Sequence, residues 1–405
     1  MNLLVFNCGS SSLMFKVFSG TNAEDVEEVL SGKASRVGVK GSMPSSIETR
    51  FGLDTQKHIV SMTNHRQAAR LALQSVREAG VHVECVGHRF VHGGSYFHKS
   101  VLLDVEVLQK LELCRPLAPI HNPNSLSVIG ECKRALPGIP QFVAFDTAFH
   151  HSLPPQAYSY ALPGTIVQQF GFRKYGFHGL SYQYVTRTVS RYLDVPVEHL
   201  KIVACHLGTG GSSVAAISGG RSLDTSMGYS PLPGLLMSTR CGDIDPMLAV
   251  YLMTTYGYRS DDVMDLFNKR SGLLGVSGFS SDIRDIILRS SEDEEKSTLA
   301  LKMYVQRVKK YIGSFVVLLG GMDVLAFTDD IGLHNPAVRE KVCEDMEWCG
   351  LALDPAANGQ AKGDSISLLS GETSRVRILS VPTDEELIIC LEGIRLLGVK
   401  NGSPV

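Results

Sequence analysis

Residues 201–246 read KIVACHLGTGGSSVAAISGGRSLDTSMGYSPLPGLLMSTRCGDIDP and gather the residue types that handle an anion. The loop His206-Leu-Gly-Thr-Gly-Gly-Ser-Ser lies between two apolar runs, 202–205 and 214–217. A strand, a glycine-rich turn and a second strand make a hairpin that can turn backbone N–H groups toward an anion. Glycine allows positive φ and lets a ligand approach the backbone closely. Downstream, Asp224-Thr-Ser-Met-Gly precedes Thr239-Arg-Cys-Gly-Asp-Ile-Asp. Arg240 there stands between small residues and two carboxylates, where a guanidinium can be held still. The stretch reads as a phosphate site with a catalytic arginine, although its Gly/Ser pattern by itself also fits a plain turn.

Other elements must position these residues. An apolar strand over 3–6, the turn Asn7-Cys-Gly-Ser-Ser-Ser and a returning strand over 13–18 echo the hairpin at 202–217 about 200 residues later. The echo suggests an internal duplication, with two half-sites facing each other across a cleft. A helix is expected over 64–79, capped by Asn64 or Thr63 and stopped by Gly80. A strand over 83–86 should lead into Gly87-His-Arg-Phe-Val-His-Gly-Gly. Three prolines make 116–123 irregular. A strand over 141–145 places Asp146 at its C-terminal end, where open α/β sheets bind ligands. Residues 154–163 resemble a domain junction, and a helix near 181–193 follows. The charged run 291–296 reads as a solvated loop or helix start. An amphipathic helix over 299–319 is followed by a strand over 324–328, a loop from 329 to 335 and a helix from about 336. The last strand falls at 377–380 and the last helix at 384–397, with acids in its first turn. Alternation of strands and helices makes the class α/β.

Composition narrows the function classes. The chain has 405 residues, enough for two or three domains. With 44% hydrophobic residues it can build large cores. A net charge of −2 gives no basic excess for nucleic acid, and no polybasic patch suits a membrane surface. The opening Met1-Asn-Leu-Leu-Val-Phe-Asn is expected to be a first strand rather than a signal peptide. Nine cysteines without CxxC pairs point to free thiols in a reducing cytosol and away from zinc.

The motifs, taken in order, resemble the acetate kinase family. They are Asn7-Cys-Gly-Ser-Ser-Ser, Gly87-His-Arg-Phe-Val-His-Gly-Gly, Ala118-Pro-Ile-His-Asn-Pro, Phe145-Asp-Thr-Ala-Phe-His, Tyr175-Gly-Phe-His-Gly and Cys205-His-Leu-Gly. Asp224-Thr-Ser-Met-Gly, Thr239-Arg-Cys-Gly-Asp-Ile-Asp-Pro, Leu274-Gly-Val-Ser-Gly with Asp282 and Arg284, and Pro382-Thr-Asp-Glu-Glu complete them. The resemblance runs from residue 3 to about 395. It implies a duplicated actin-like ATPase fold of the sugar kinase/Hsp70/actin type, with two domains around a cleft. An N-terminal acyl-side domain would span 1–149, joined by a returning helix 385–405, and a nucleotide-side domain would span 150–384. It further implies a cytoplasmic homodimer that transfers a phosphoryl group reversibly between ATP and acetate or another short-chain carboxylate, giving acetyl phosphate and ADP with Mg²⁺ or Mn²⁺.

By motif, Arg89 resembles the substrate arginine, Asp146 the catalytic aspartate, and His178 and Arg240 the transition-state stabilisers. Asn7 and Glu385 match the metal positions. His206, Leu207, Gly208, Thr209 and Gly210, then Asp282, Ile283 and Arg284, then Asp330, Ile331, Gly332, Leu333 and His334, match the nucleotide contacts. Val91, Ile120, Phe177 and Pro231 match the apolar pocket around the substrate methyl group. The chemistry suits these residue types. A carboxylate is already a nucleophile at neutral pH, so the work is positioning and electrostatic stabilisation. Arginine stays charged and meets oxyanions bidentately, and Mg²⁺ takes few protein ligands. Glu385 equally fits a first-turn acid favoured by the helix dipole.

Departures from the family pattern fall on the donor side. Where the family has Lys, this chain has Met14; where it has Asn in the HLGNG loop, this chain has Thr209. The family's Thr-Gly-Gly-Ile-Gly-Glu-Asn reads Thr328-Asp-Asp-Ile-Gly-Leu-His here, so Asp329 and Asp330 replace small residues and Leu333 replaces Glu. The local charge falls by two beside a polyphosphate site. Repulsion is about 4 kcal/mol per unit pair at ~4 Å and an effective dielectric near 20. Lys16, one pleat repeat along the strand from position 14, is positioned to compensate in part. The acyl side keeps its parts. Three readings follow: an ATP-dependent carboxylate kinase, the same acyl chemistry with another donor such as pyrophosphate, or a non-catalytic ligand-binding member.

Overall fold

The computed structural model describes residues 1–39, 41 and 43–398 and divides into two compact units. The first comprises residues 1–149 and the chain from Asp384 onward; the second is His150–Thr383. The last residues of the expected returning helix, 399–405, lie outside the described residues.

The first unit is built on one sheet. Its strands are β1 (Asn2–Cys8), β2 (Ser12–Ser19), β3 (Glu27–Ser35), β4 (Ser46–Phe51), β5 (Asp54–Ile59), β6 (Cys85–Phe90), β7 (Val101–Leu102) and β8 (Gln141–Phe145). They lie in the order β5-β4-β3-β2-β1-β6-β8-β7. β1 and β2 form the expected hairpin, while β1, β6 and β8 run parallel. Leu4, Phe6, Phe15 and Val17 pack with Ala68, Ala69, Ala72 and Val76 of the helix His65–Glu78. Asn64 caps that helix by accepting from the Gln67 backbone N–H at 3.0 Å. The helix Glu385–Gly398 packs on β1 and β6 and buries Ile388, Ile389, Cys390 and Gly393.

The second unit repeats the plan. Its strands are β9 (Lys201–Gly208), β10 (Gly211–Ser218), β11 (Arg221–Thr225), β12 (Val324–Thr328), β13 (Ser367–Leu368) and β14 (Arg377–Ser380), in the order β11-β10-β9-β12-β14-β13. The run β3-β2-β1-β6-β8 therefore corresponds to β11-β10-β9-β12-β14, antiparallel for two pairings and then parallel for two. The repeated hairpin heard in the sequence is the start of a repeated sheet. The helix Glu295–Leu319 lies against this sheet through Ala300, Leu301, Tyr304, Val308, Ile312 and Phe315.

Several expectations change. The glycine-rich loop is nearly all strand: β9 reaches Gly208 and β10 starts at Gly211, leaving a two-residue turn at Thr209 and Gly210. Ser212 Oγ tightens it, accepting from Gly208 N–H and donating to Gly208 O, both at 3.1 Å. The loop expected at 329–335 is instead the helix Asp329–His334, because two acids favour a helix N-terminus and Asp330 accepts from Ile331 N–H at 2.8 Å. The strand expected at 83–86 runs over Cys85–Phe90, since β1 and β8 flank it on both sides. Only the middle of 116–123 is irregular, because the helix Asn122–Ala135 takes Pro123 into its first turn, where no N–H is needed. Residues 154–163 lie inside the second unit and include the helix Pro155–Tyr158. Among the described residues, no helix is long and apolar enough to cross a membrane.

Candidate active site

In the first unit, three parallel strands bring Asn7, Arg89 and Asp146 to one edge. Asn7 is near the end of β1, Arg89 near the end of β6, and Asp146 directly follows β8. The Arg89 guanidinium grips Asp146 bidentately, Nε to Oδ1 at 2.8 Å and Nη2 to Oδ2 at 2.6 Å. Its Nη1 donates to Asn7 Oδ1 at 2.8 Å, and Nε lies 3.6 Å from Glu385 Oε2. Burial alone would lower the Arg89 pKa, but Asp146 and Glu385 outweigh it and raise the value. Asn7 is a hub, because its amide also donates to Glu385 Oε2 at 3.1 Å and to Glu386 Oε1 at 2.7 Å.

Glu386, which sequence reasoning left aside, is buried at 3% exposure. Burial first, then Asp384 and Glu385, push its carboxyl up to about 7. The sequence signal was available in the run of three acids, but only packing tells which of them faces inward. Lys16 does not replace the missing lysine at position 14: its ammonium is held by Asp384 at 2.7 Å and Glu28 at 3.0 Å. Met14 sits across from Asn7 in the β1–β2 register.

In the second unit, His178 and Arg240 meet at the β9–β10 hairpin. A Cβ on Gly211 would lie 3.0 Å from Arg240 Nη1 and 3.5 Å from His178 Nε2. His178 stands at φ 59°, an uncommon left-handed value for a non-glycine residue, immediately before the helix Gly179–Leu193. Its Nδ1 is 2.8 Å from Ser213 Oγ, which is 2.6 Å from the buried Tyr182 hydroxyl. For Nε2 to carry the proton, Ser213 donates to Nδ1 and Tyr182 donates to Ser213. The His178 ring stacks on His206, with centroids 4.0 Å apart. Ser213 belongs to the Gly-Gly-Ser-Ser motif, yet its partner Tyr182 carried no sequence signal.

Arg240 contrasts with Arg89. Among the described residues the only hydrogen bond of its guanidinium runs to Met237 Sδ at 3.7 Å, and no carboxylate pairs with it. Burial holds its pKa below the ordinary arginine value. The backbone that carries it is fixed by Met237 N–H to Arg240 O at 3.1 Å and Leu273 N–H to Met237 O at 2.8 Å. Gly272, at φ 64°, lets that loop approach: a Cβ there would lie 2.1 Å from Met237 O. A partly buried cation with no counter-charge is costly unless a ligand supplies the anion.

The donor-side residues fall into two groups. His206, Gly208 and Thr209 adjoin Asp329 and Asp330. Asp330 accepts from Thr209 N–H at 2.8 Å and Thr209 Oγ1 at 2.7 Å, and His206 Nε2 is 2.9 Å from Asp329 Oδ2. Leu207, Ile283 and Ile331 belong to the core, Leu333 is buried, and Gly332 has no side chain, so these offer only backbone to a ligand. Gly210 is in the turn and His334 is exposed. Asp282 caps the helix Ile283–Ser291 and pairs with Arg284 at 2.5 Å. Arg339, absent from the sequence reading, is fully buried and donates to Gly332 O at 2.9 Å and Leu333 O at 2.7 Å, closing the far end of the Asp329–His334 helix. Of the expected apolar pocket, Val91 and Ile120 belong to the first unit, buried and exposed respectively. Phe177, buried, and Pro231 belong to the second. Among the described residues, no group of three or more His, Cys, Asp or Glu side chains is arranged to hold a metal ion.

Comparison with known proteins bears on this geometry. A profile of the Acetokinase family matches residues 2–391. The chain is 41% identical to an acetate kinase of Thermoanaerobacter pseudethanolicus over 98% of its own length and 99% of that protein. A crystal structure of acetate kinase from Entamoeba histolytica matches with a TM-score of 0.87 and 44% identity, covering 98% of this chain and 100% of that one. A propionate kinase from Francisella tularensis matches with a TM-score of 0.87 and 31% identity, over 96% and 98% of the two chains.

Proposed function

The chain belongs to the acetokinase family, and on that premise we propose that it transfers the terminal phosphoryl group of ATP reversibly to acetate or a similar short carboxylate, giving an acyl phosphate and ADP. The observation that carries the proposal is the uncompensated Arg240 guanidinium beside His178 Nε2 at Gly211. Charge on a phosphoryl group in flight spreads over its equatorial oxygens, and preorganised donors without a resident anion stabilise it most. Arg240 supplies the charge, while His178, steadied by Ser213 and Tyr182, supplies a hydrogen-bond donor at Nε2. The acceptor carboxylate needs no base. Arg89 binds and orients it, and Asp146 and Asn7 fix the guanidinium.

The oxygen donors around Asn7 fit a hard cation such as Mg²⁺ or Mn²⁺, which keeps most of its waters. Glu385 would hold it. Asn7, whose amide oxygen is committed to Arg89, would orient Glu385 rather than ligate. When bound, the ion neutralises charge on the donor phosphates. Apolar side chains at Val91, Ile120, Phe177 and Pro231 suit a small alkyl group. They leave acetate against propionate to a discrimination of ~1–3 kcal/mol per methylene.

We further propose a cytoplasmic homodimer. The helix Pro246–Thr254 buries none of its residues and exposes Met247, Leu248, Val250, Tyr251 and Met253, an apolar surface that a second copy would cover. The resident Asp330 on Thr209 favours a second reading, in which the donor is smaller, such as pyrophosphate.

The test is acyl-phosphate formation trapped as the hydroxamate, from acetate and Mg²⁺ with either ATP or pyrophosphate. Product with ATP supports the proposal. Product with pyrophosphate alone replaces the donor, and product with neither, propionate included, overturns the enzymatic reading.

A further inference from the structure

The donor-side turn of this chain already holds anions of its own. Asp330 accepts from Thr209 N–H at 2.8 Å, from Thr209 Oγ1 at 2.7 Å and from Ile331 N–H at 2.8 Å. Asp329 Oδ1 accepts from Asp330 N–H at 2.9 Å, and its Oδ2 lies 2.9 Å from His206 Nε2. The second carboxylate is pressed so closely on the turn that a Cβ at Gly208 would stand 1.9 Å from Asp329 Oδ2. Asp329 reaches there by adopting φ 62°, a left-handed value that Asp tolerates better than most residues but that favours glycine. Backbone N–H groups at a turn and at the start of a helix are the groups that receive phosphate oxygens. Here three such N–H groups and a hydroxyl are spent on side-chain carboxylates. The residues that make the clasp, Thr209, Asp329 and Asp330, are among those at which the sequence departs from the pattern that the resemblance implies.

We propose that the Asp329–Asp330 pair is a resident anion that selects the phosphoryl donor: a donor binds by displacing Asp330 from Thr209. The inference rests on the proposed kinase reading and concerns its donor site alone. Displacement lowers the apparent affinity by the fraction of chains in which the clasp is open. It also costs a donor more as its phosphate oxygens crowd the second carboxylate, which His206 pairs and Gly208 admits. Glycine at position 329 would accept the left-handed backbone without strain, so Asp329→Gly is a variant expected to fold.

The experiment measures KM for MgATP and for acetate, together with calorimetric binding of MgATP, in the wild-type chain and in Asp330→Gly, Thr209→Val and Asp329→Gly. The expected result is a fall of about tenfold or more in KM and in Kd for MgATP in Asp330→Gly. Smaller falls should follow in the other two, with KM for acetate unchanged in all three. Unchanged MgATP binding in Asp330→Gly and Thr209→Val overturns the proposal, and so does weaker binding, which would make Asp330 a contact for the donor or its cation. Calorimetry separates the two failures. If the wild type makes no acyl phosphate yet Asp330→Gly gains MgATP affinity, the kinase reading falls and the clasp stands.

Discussion

Arg89, on β6, and Arg240, in the irregular segment after β11, carry the same charge in two units of the same plan, and their surroundings are opposite. Arg89 is enclosed by Asp146, Asn7 and Glu385; among the described residues the Arg240 guanidinium has a thioether sulfur as its one hydrogen-bond partner. The first arginine is part of the folded structure whether or not substrate is bound. The second is an electrostatic debt that only a ligand anion settles. On the proposed reading the two arginines would serve different stages, one orienting the ground state and the other favouring the transition state.

Replacing Arg240 breaks the comparison most sharply. Arg240→Ala should lower kcat by about 100- to 1,000-fold, while thermal unfolding shows a Tm equal to or above that of the wild type, because an unpaired, partly buried cation has been removed. A clear loss of Tm would show that Arg240 is structural after all. Arg89→Ala should do the reverse in emphasis. It leaves Asp146, Glu385 and Glu386 without their cation, so denaturant unfolding should report a loss of about 3–5 kcal/mol besides the loss of activity.

Ser213→Ala sharpens the account of His178. Without Ser213 Oγ the imidazole loses the partner at Nδ1 that selects its tautomer. kcat should fall by about tenfold with KM for both substrates held, and the pH profile should shift. An unmoved profile would reduce Ser213 to a packing role. The smallest effect concerns Glu386. Its carboxyl is raised from 4.5 to about 7, so the folded state holds more protons than the unfolded one between those values. Wild-type stability should therefore decline as pH rises through that window and carry the full penalty above it. Glu386→Gln keeps an acceptor for Asn7 and lacks the penalty. Its Tm advantage should be larger at about pH 8 than at about pH 5, and an equal advantage at both would mean that Glu386 titrates normally.

Much of this was legible beforehand because it is periodic or punctuated. The strand over 141–145 and Asp146 after it followed from an apolar run and its end. The helix over 64–79 followed from its Asn64 cap. The echo of the two hairpins announced the repeated sheet. What the sequence hid was pairing at a distance. Nothing near Thr209 says that its hydroxyl meets Asp330, 121 positions away. Nothing near Arg339 says that its guanidinium is wholly buried against carbonyls of a preceding helix. The glycine-rich segment misled for a related reason. Glycine and serine mark loops when the backbone is unpaired, but here β10 pairs Gly211 with Gly208 and the strand continues through them. The two acids at 329–330 looked like loop residues and are a helix start, because a helix N-terminus and an exposed turn favour the same side chains.

The chain path has a consequence for how the molecule is made. The helix Glu385–Gly398, which packs on β1 and β6 and carries the acids beside Arg89, comes after the whole of the second unit. On the ribosome, β1, β6 and β8 emerge long before the segment that covers them. Until that helix emerges, the apolar side chains of Leu3 and Phe142 lack the segment around Gly393 that covers them, and Arg89 lacks Glu385. The first unit is thus begun first and finished last, and a nascent chain stalled anywhere short of Asp384 would present an open sheet to the chaperones that receive it.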